Sequence, residues 1–141
     1  MLSFRMTNEM WQERGMADED REPRFSGYDL EERTARFGEQ VIEFALGLPR
    51  NPVTHPLISQ IVRSGTSVGA NYVEADDAVS RKEFALKVNT CRKEARETKH
   101  WVRMIVKAVP EQRDEAAPIW QEAHELHLIF SKIRRTTLDR P

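Results

Sequence analysis

Residues 56–73 read Pro-Leu-Ile-Ser-Gln-Ile-Val-Arg-Ser-Gly-Thr-Ser-Val-Gly-Ala-Asn-Tyr-Val and hold one charge in 18 positions, Arg63. Within and just beyond them, Ile58, Ile61, Gly65, Val68, Tyr72 and Ala75 recur at alternating spacings of three and four. That rhythm is the signature of one buried stripe on an α-helix. The opposite side holds Arg63, Thr66, Ser67, Ala70, Val73 and Glu74, which is small or weakly polar rather than charged. A helix of an isolated bundle carries charge on its outer face, so this one is expected to be covered on more than one side. In a chain of 141 residues the second cover is expected from another subunit. Ser64, Gly65, Ser67, Gly69 and Ala70 fit that expectation, because small side chains let helix backbones close up. Each glycine otherwise costs about 1 kcal/mol against alanine in a helix. A tight helix pair within the chain is the other reading of the same residues.

Three more stripes of the same period surround this one. Leu30, Thr34, Phe37, Val41, Phe44 and Leu48 precede it. Phe84, Val88, Cys91, Ala95, Thr98, Val102, Ile105 and Val109 follow, and then Ile119, Ala123, Leu126, Phe130, Ile133 and Thr137. Asp29 with Glu32 fits a capping pair for the first helix, Thr54 an N-cap for the second, and Ser80 with Glu83 a capping box for the third. Pro49, Pro52 and Pro110 stop helices, and Ala117-Pro118 lies near the start of the fourth. The connections, about 49–55, 76–80 and 110–114, are short and force antiparallel neighbours. No stretch alternates at period two long enough for a strand. The fold class is therefore all-α, an antiparallel up-down-up-down four-helix bundle over 28–138, expected from its low-charge second helix to associate with copies of itself.

Composition bounds the function. At 16.4 kDa the chain suits one domain. One cysteine excludes an internal disulfide and fits a reducing cytoplasm. No apolar run approaches the roughly 20 residues needed to span a bilayer. A net charge of −1 argues against a globally basic nucleic-acid binder but leaves room for a local patch. Residues 1–27 carry no period, an acidic run at Asp18-Glu19-Asp20 and scattered Leu2, Phe4, Met6 and Trp11. They are expected to be a flexible extension.

The charge is unevenly distributed. From Arg81 to Lys107 nine basic residues face three acidic ones, a local balance of +6. Arg92, Arg96, Lys99, Arg103 and Lys107 follow helical spacing and are expected on the face away from the core. Such a stripe suits phosphates, with steep salt dependence; the plainer alternative is a solvated face with i,i+4 ion pairs. Arg63, Ser67 and Glu74 share a stripe with Asn71 beside them, and a buried Arg and Glu would need each other or a partner across an interface. Trp101 suits packing or an interface better than base stacking.

Chemistry is hard to find. The only E-x-x-H is Glu97 with His100, and His100 points away from the core, so a di-iron site is not expected. His124 and His127 flank Leu126 and are expected to be solvated. Cys91 holds a core position and should be inert. The Ser64–Gly69 run is glycine-rich but lies inside a helix and lacks the lysine of a phosphate loop. No enzyme, no cofactor and no metal site are expected.

The stretch Arg63-Ser64-Gly65-Thr66-Ser67-Val68-Gly69-Ala70-Asn71-Tyr72-Val73-Glu74 resembles the R-S-x-x-S-x-x-A-N-x-x-E signature of the four-helix-bundle family, also called the 23S rRNA intervening-sequence proteins. The resemblance continues through Phe84, Cys91-Arg92-Lys93-Glu94-Ala95 and Glu97-Thr98-x-x-Trp101, and covers roughly 29–137. It implies a small bacterial protein, often a ring-shaped homopentamer, with no established enzymatic activity. The family is also similar to the basic, nucleic-acid-binding accessory proteins of diversity-generating retroelements, whose overall charge this chain does not share. The expected subunit interface is then Arg63, Ser67, Ala70, Asn71, Glu74 and Trp101. RNA or a nucleic-acid-bound protein is the expected further partner, through Arg92, Arg96, Lys99, Arg103 and Lys107. A protein-interaction scaffold without nucleic-acid contact is the alternative.

Overall fold

The computed structural model describes residues 27–139. Four helices follow in order: α1 Gly27–Leu46, α2 Thr54–Asp76, α3 Arg81–Ala108 and α4 Arg113–Leu138. Each packs against the next, and α4 closes on α1, which gives the antiparallel bundle that the loop lengths predict. The N-terminal extension lies outside the described residues apart from Gly27, which opens α1.

The stripes meet as expected. Leu30, Phe37, Val41, Ile61, Val68, Tyr72, Phe84, Val88, Leu126, Phe130 and Ile133 form one buried core. Tyr72 and Phe130 pack ring to ring across it at 5.8 Å. Ile58 is the exception in its stripe, half-buried against the core edge because it sits at the open end of α2. Burying a large aliphatic or aromatic side chain is worth about 1.5–3 kcal/mol, so this cluster is the main source of stability.

Helix ends depart from the sequence reading in three places. α1 starts at Gly27, so Asp29 lies within its first turn and Glu32 instead pairs with Arg36 at 3.0 Å. Asn51, not Thr54, caps α2: its Oδ1 accepts from the N–H groups of Val53 (2.9 Å) and Thr54 (3.0 Å). Thr54 Oγ1 donates back to the Pro49 carbonyl at 2.6 Å and pins the loop. α4 begins at Arg113, after a 3₁₀ turn over Pro110–Gln112, so Pro118 lies inside the helix rather than at its start. The capping box at α3 is present. Glu83 N–H donates to Ser80 Oγ and Glu83 Oε2 accepts from the Val79 N–H, both at 3.1 Å.

The glycines resolve one open question. A Cβ on Gly65 would stand 2.7 and 2.8 Å from the γ carbons of Val41, and one on Gly69 would stand 3.3 Å from the Thr34 carbonyl oxygen. Both therefore serve the approach of α2 to α1 within one chain. The small residues at these two positions are accounted for without a second subunit, and the expectation that they signal assembly is corrected.

Candidate nucleic-acid interface

The motif of α2 folds into a lock between α2 and α3. Arg63 Nη1 reaches Glu94 at 3.2 Å and Nη2 pairs with Glu97; its Nε donates to Gln60 at 3.0 Å. Ser67 Oγ donates to the Arg63 carbonyl (2.6 Å), and Asn71 Nδ2 donates to the Ser67 carbonyl (2.9 Å). Glu74 pairs with Lys87 at 2.6 Å. That hydrogen bond, and then the Glu74 charge, hold the Lys87 pKa above its ordinary value. Arg63 and Glu74 thus do not meet each other and neither is buried, with 46% and 59% of the side chains exposed. The two sequence blocks of the resemblance are tied to each other across this seam. Beneath it, Thr98 Oγ1 lies 2.9 Å from Ser64 Oγ in a fully buried hydroxyl pair. Cys91 is buried beside the Val68 carbonyl, and burial pushes its thiol far above the ordinary range, as an inert thiol requires.

Of the remaining interface residues, Trp101 is half-buried against the core edge, with His100 edge-on at 4.9 Å and its Nε1 buried without an acceptor among the described residues. Ala70 faces outward, as does Val73 with 51% exposed. On α1, Ile42 and Leu46 are exposed as well. Gly38 and Thr66 meet across the antiparallel α1/α2 contact, so Ile42 lies one turn from that crossing and Val73 two turns from it in the other direction.

Two members of the basic stripe sit elsewhere than the sequence suggests, and three are exposed as expected. Arg92 and Lys99 are half-buried on the flank of α3 that faces α4, while Arg96, Arg103 and Lys107 are exposed. Lys99 Nζ donates to His124 Nδ1 at 3.0 Å and lies 5.2 Å from the centroid of Trp120. A lysine ammonium has only donors, so the imidazole nitrogen accepts. His127 Nδ1 donates to the Arg92 carbonyl at 3.3 Å. Both histidines are half-buried in the α3/α4 seam, not solvated as expected, because the 3.6-residue period turns them toward α3. Burial, and then the charge of Arg96, lowers the Lys99 pKa. Burial first, then Lys99, Arg92 and Arg96, holds His127 below ordinary histidine, against the opposing pull of its Arg92 hydrogen bond.

Among the described residues, none of Arg92, Arg96, Lys99, Arg103 and Lys107 forms an ion pair with a carboxylate. Acids are matched elsewhere. Arg33 makes a two-pronged contact with Glu122, both bonds 2.8 Å, and a third with Glu125 at 3.1 Å. Trp120, which carries no weight in the sequence reading, is the residue that the fold adds to the cationic stripe. Its one turn of separation from His124 is the signal that places both on one flank.

The family model of the 23S rRNA-intervening sequence protein matches residues 28–132. The chain belongs to that family. Among solved structures, a crystal structure of a protein of unknown function from the S23 ribosomal protein family of Bacteroides thetaiotaomicron VPI-5482 is similar. The two are 25% identical, with a TM-score of 0.67 over 77% of this chain and 97% of the other. No curated protein matches. The matched range spans the whole α2/α3 lock described above. Among the described residues, no helix is long and apolar enough to cross a membrane.

Proposed function

We propose that this family member is a non-enzymatic, cytoplasmic, self-assembling bundle, a homopentamer, that contacts RNA through the cationic flank of α3. The observation that carries the RNA contact is the line of five α3 cations that form no ion pair with a carboxylate among the described residues, in a chain whose net charge is −1. Unmatched cations at fixed helical spacing suit a line of phosphates. The family name links its members to a 23S rRNA intervening sequence, which fits such a ligand. Assembly rests on a separate observation, the apolar side chains left exposed on the outer side of these helices, Ile42 and Leu46 on α1 and Ala70 and Val73 on α2. Repetition of the cationic flank around a ring would let a weak patch bind usefully.

Two measurements test this. Sedimentation at micromolar concentration should give a species near five times the 16.4 kDa protomer, and a persistent monomer overturns the assembly. Filter binding to structured RNA should weaken steeply between about 50 and 200 mM salt. Reversing Arg96, Lys99 and Arg103 to glutamate should abolish it. Binding indifferent to salt and to that reversal would overturn the phosphate contact, and no binding at low salt would leave the protein-interaction scaffold as the better account.

A further inference from the structure

Trp120 is a large aromatic side chain with 39% of its surface in solvent, although it lies beside the most cationic part of the molecule. His124 stacks on it at 5.2 Å with the ring planes 15° apart, and Lys99 Nζ sits 5.2 Å from its centroid. These contacts come from two different helices and fix the indole in place. We propose that the α3/α4 seam takes an unpaired stretch of polynucleotide, one base stacking on the exposed part of Trp120 and its flanking phosphates meeting Lys99, Arg96 and Arg103. This rests on the RNA contact proposed above and narrows it to single strands.

The arrangement has both parts that such binding needs. An aromatic face stacks with any base, and a neighbouring cationic groove follows the backbone. Lys99 and Arg103 are one turn apart on α3, and Arg96 lies about one turn before Lys99. From Arg96 to Arg103 the helix rises about 10 Å, enough for these cations to meet successive phosphates of one strand. Lys99 is half-buried, and its one polar contact among the described residues is an imidazole nitrogen. A phosphate would supply the counter-charge that the fold does not. A duplex could use the cations but not the indole, because its base faces are stacked inside the helix.

The test uses the full chain, labelled twelve-nucleotide oligo(A) and oligo(U) in RNA and DNA form, and the same RNA annealed to its complement. The wild-type protein should bind the single strands more tightly than the duplex, and oligo(A) more tightly than oligo(U). Trp120→Ala should weaken single-strand binding about tenfold and leave duplex binding and the salt slope unchanged. Trp120→Phe should keep most of the affinity, which guards against a folding defect, and urea titration of each variant checks this directly. A 2′-hydroxyl preference would assign RNA over DNA, while equal affinity would keep the site and widen its ligand to either. If Trp120→Ala binds single strands like wild type while Arg96→Glu with Arg103→Glu abolishes binding, the stacking site is wrong and the phosphate contact stands. If no oligonucleotide or duplex binds at about 50 mM salt, both proposals fall.

Discussion

The α1/α2 and α3/α4 contacts of this bundle share one apolar core but differ in what lines them. The first closes on backbone: Gly65 lies under Val41, Gly69 under the Thr34 carbonyl and Gly38 against Thr66. The second carries polar side chains along its outer edge, where Lys99 meets His124 beside Trp120 and His127 bonds the Arg92 carbonyl. The difference shows what small residues and charges each do here. Glycines bring two helices together and leave an apolar outer strip. Cations line the outer flank of the other contact and meet no carboxylate among the described residues. Neither property is visible in a net charge of −1.

The largest expected effect is at Gly65. Gly65→Val places a branched side chain where even a Cβ meets the Val41 γ carbons within 2.8 Å. We expect a loss of about 3 kcal/mol in urea unfolding, as overpacked cores show. Adding Val41→Ala should return part of it; no return would mean that the two positions are not in contact. Next comes affinity at the other contact. Arg96→Glu with Arg103→Glu should remove RNA binding, yet change unfolding stability by no more than about 0.5 kcal/mol, since neither residue has a carboxylate partner among the described residues. A large stability loss there would show that the cations are structural and break the contrast. Gly38→Ala is the control within the glycine contact. Its Cβ would meet Thr66 at an ordinary 3.6 Å, so the variant should gain about 0.5–1 kcal/mol from helix propensity alone.

The smallest effect concerns pH. His127 has a folded pKa below its unfolded value, because burial and three nearby cations disfavour its charged form. The unfolded chain therefore binds more protons as pH drops through the ordinary histidine value of about 6.5, and stability falls with it. The loss is complete once pH is below the folded pKa. His127→Gln should flatten this part of the stability–pH curve, measured by urea midpoints between about pH 5 and 8. A steeper curve in the variant would reverse the assigned sign.

Much of this was legible in the chain. The stripes at Phe37, Val68, Val88 and Phe130 and the box at Ser80 and Glu83 depend on local periodicity and local hydrogen bonds. They appear in the structure as read. The motif of α2 was legible as a unit, but its partners were not. Arg63 faces Glu94 and Glu97, and Glu74 faces Lys87, across a seam whose existence no spacing within α2 reports. Trp120 was invisible for the same reason, since half-exposure beside Lys99 depends on where α4 lies against α3.

The sequence by itself determined four helices, their buried stripes, their short connections and the concentration of positive charge in the third. Only the tertiary structure decided which neighbour each flank meets, so that Gly65 and Gly69 serve α1 while Lys99 and Arg92 turn to α4. The physical reason is geometric. A helical period fixes the direction of the core, but the two flanks beside that direction are equivalent in a single helix. They become distinct only when the helices take their order around the bundle.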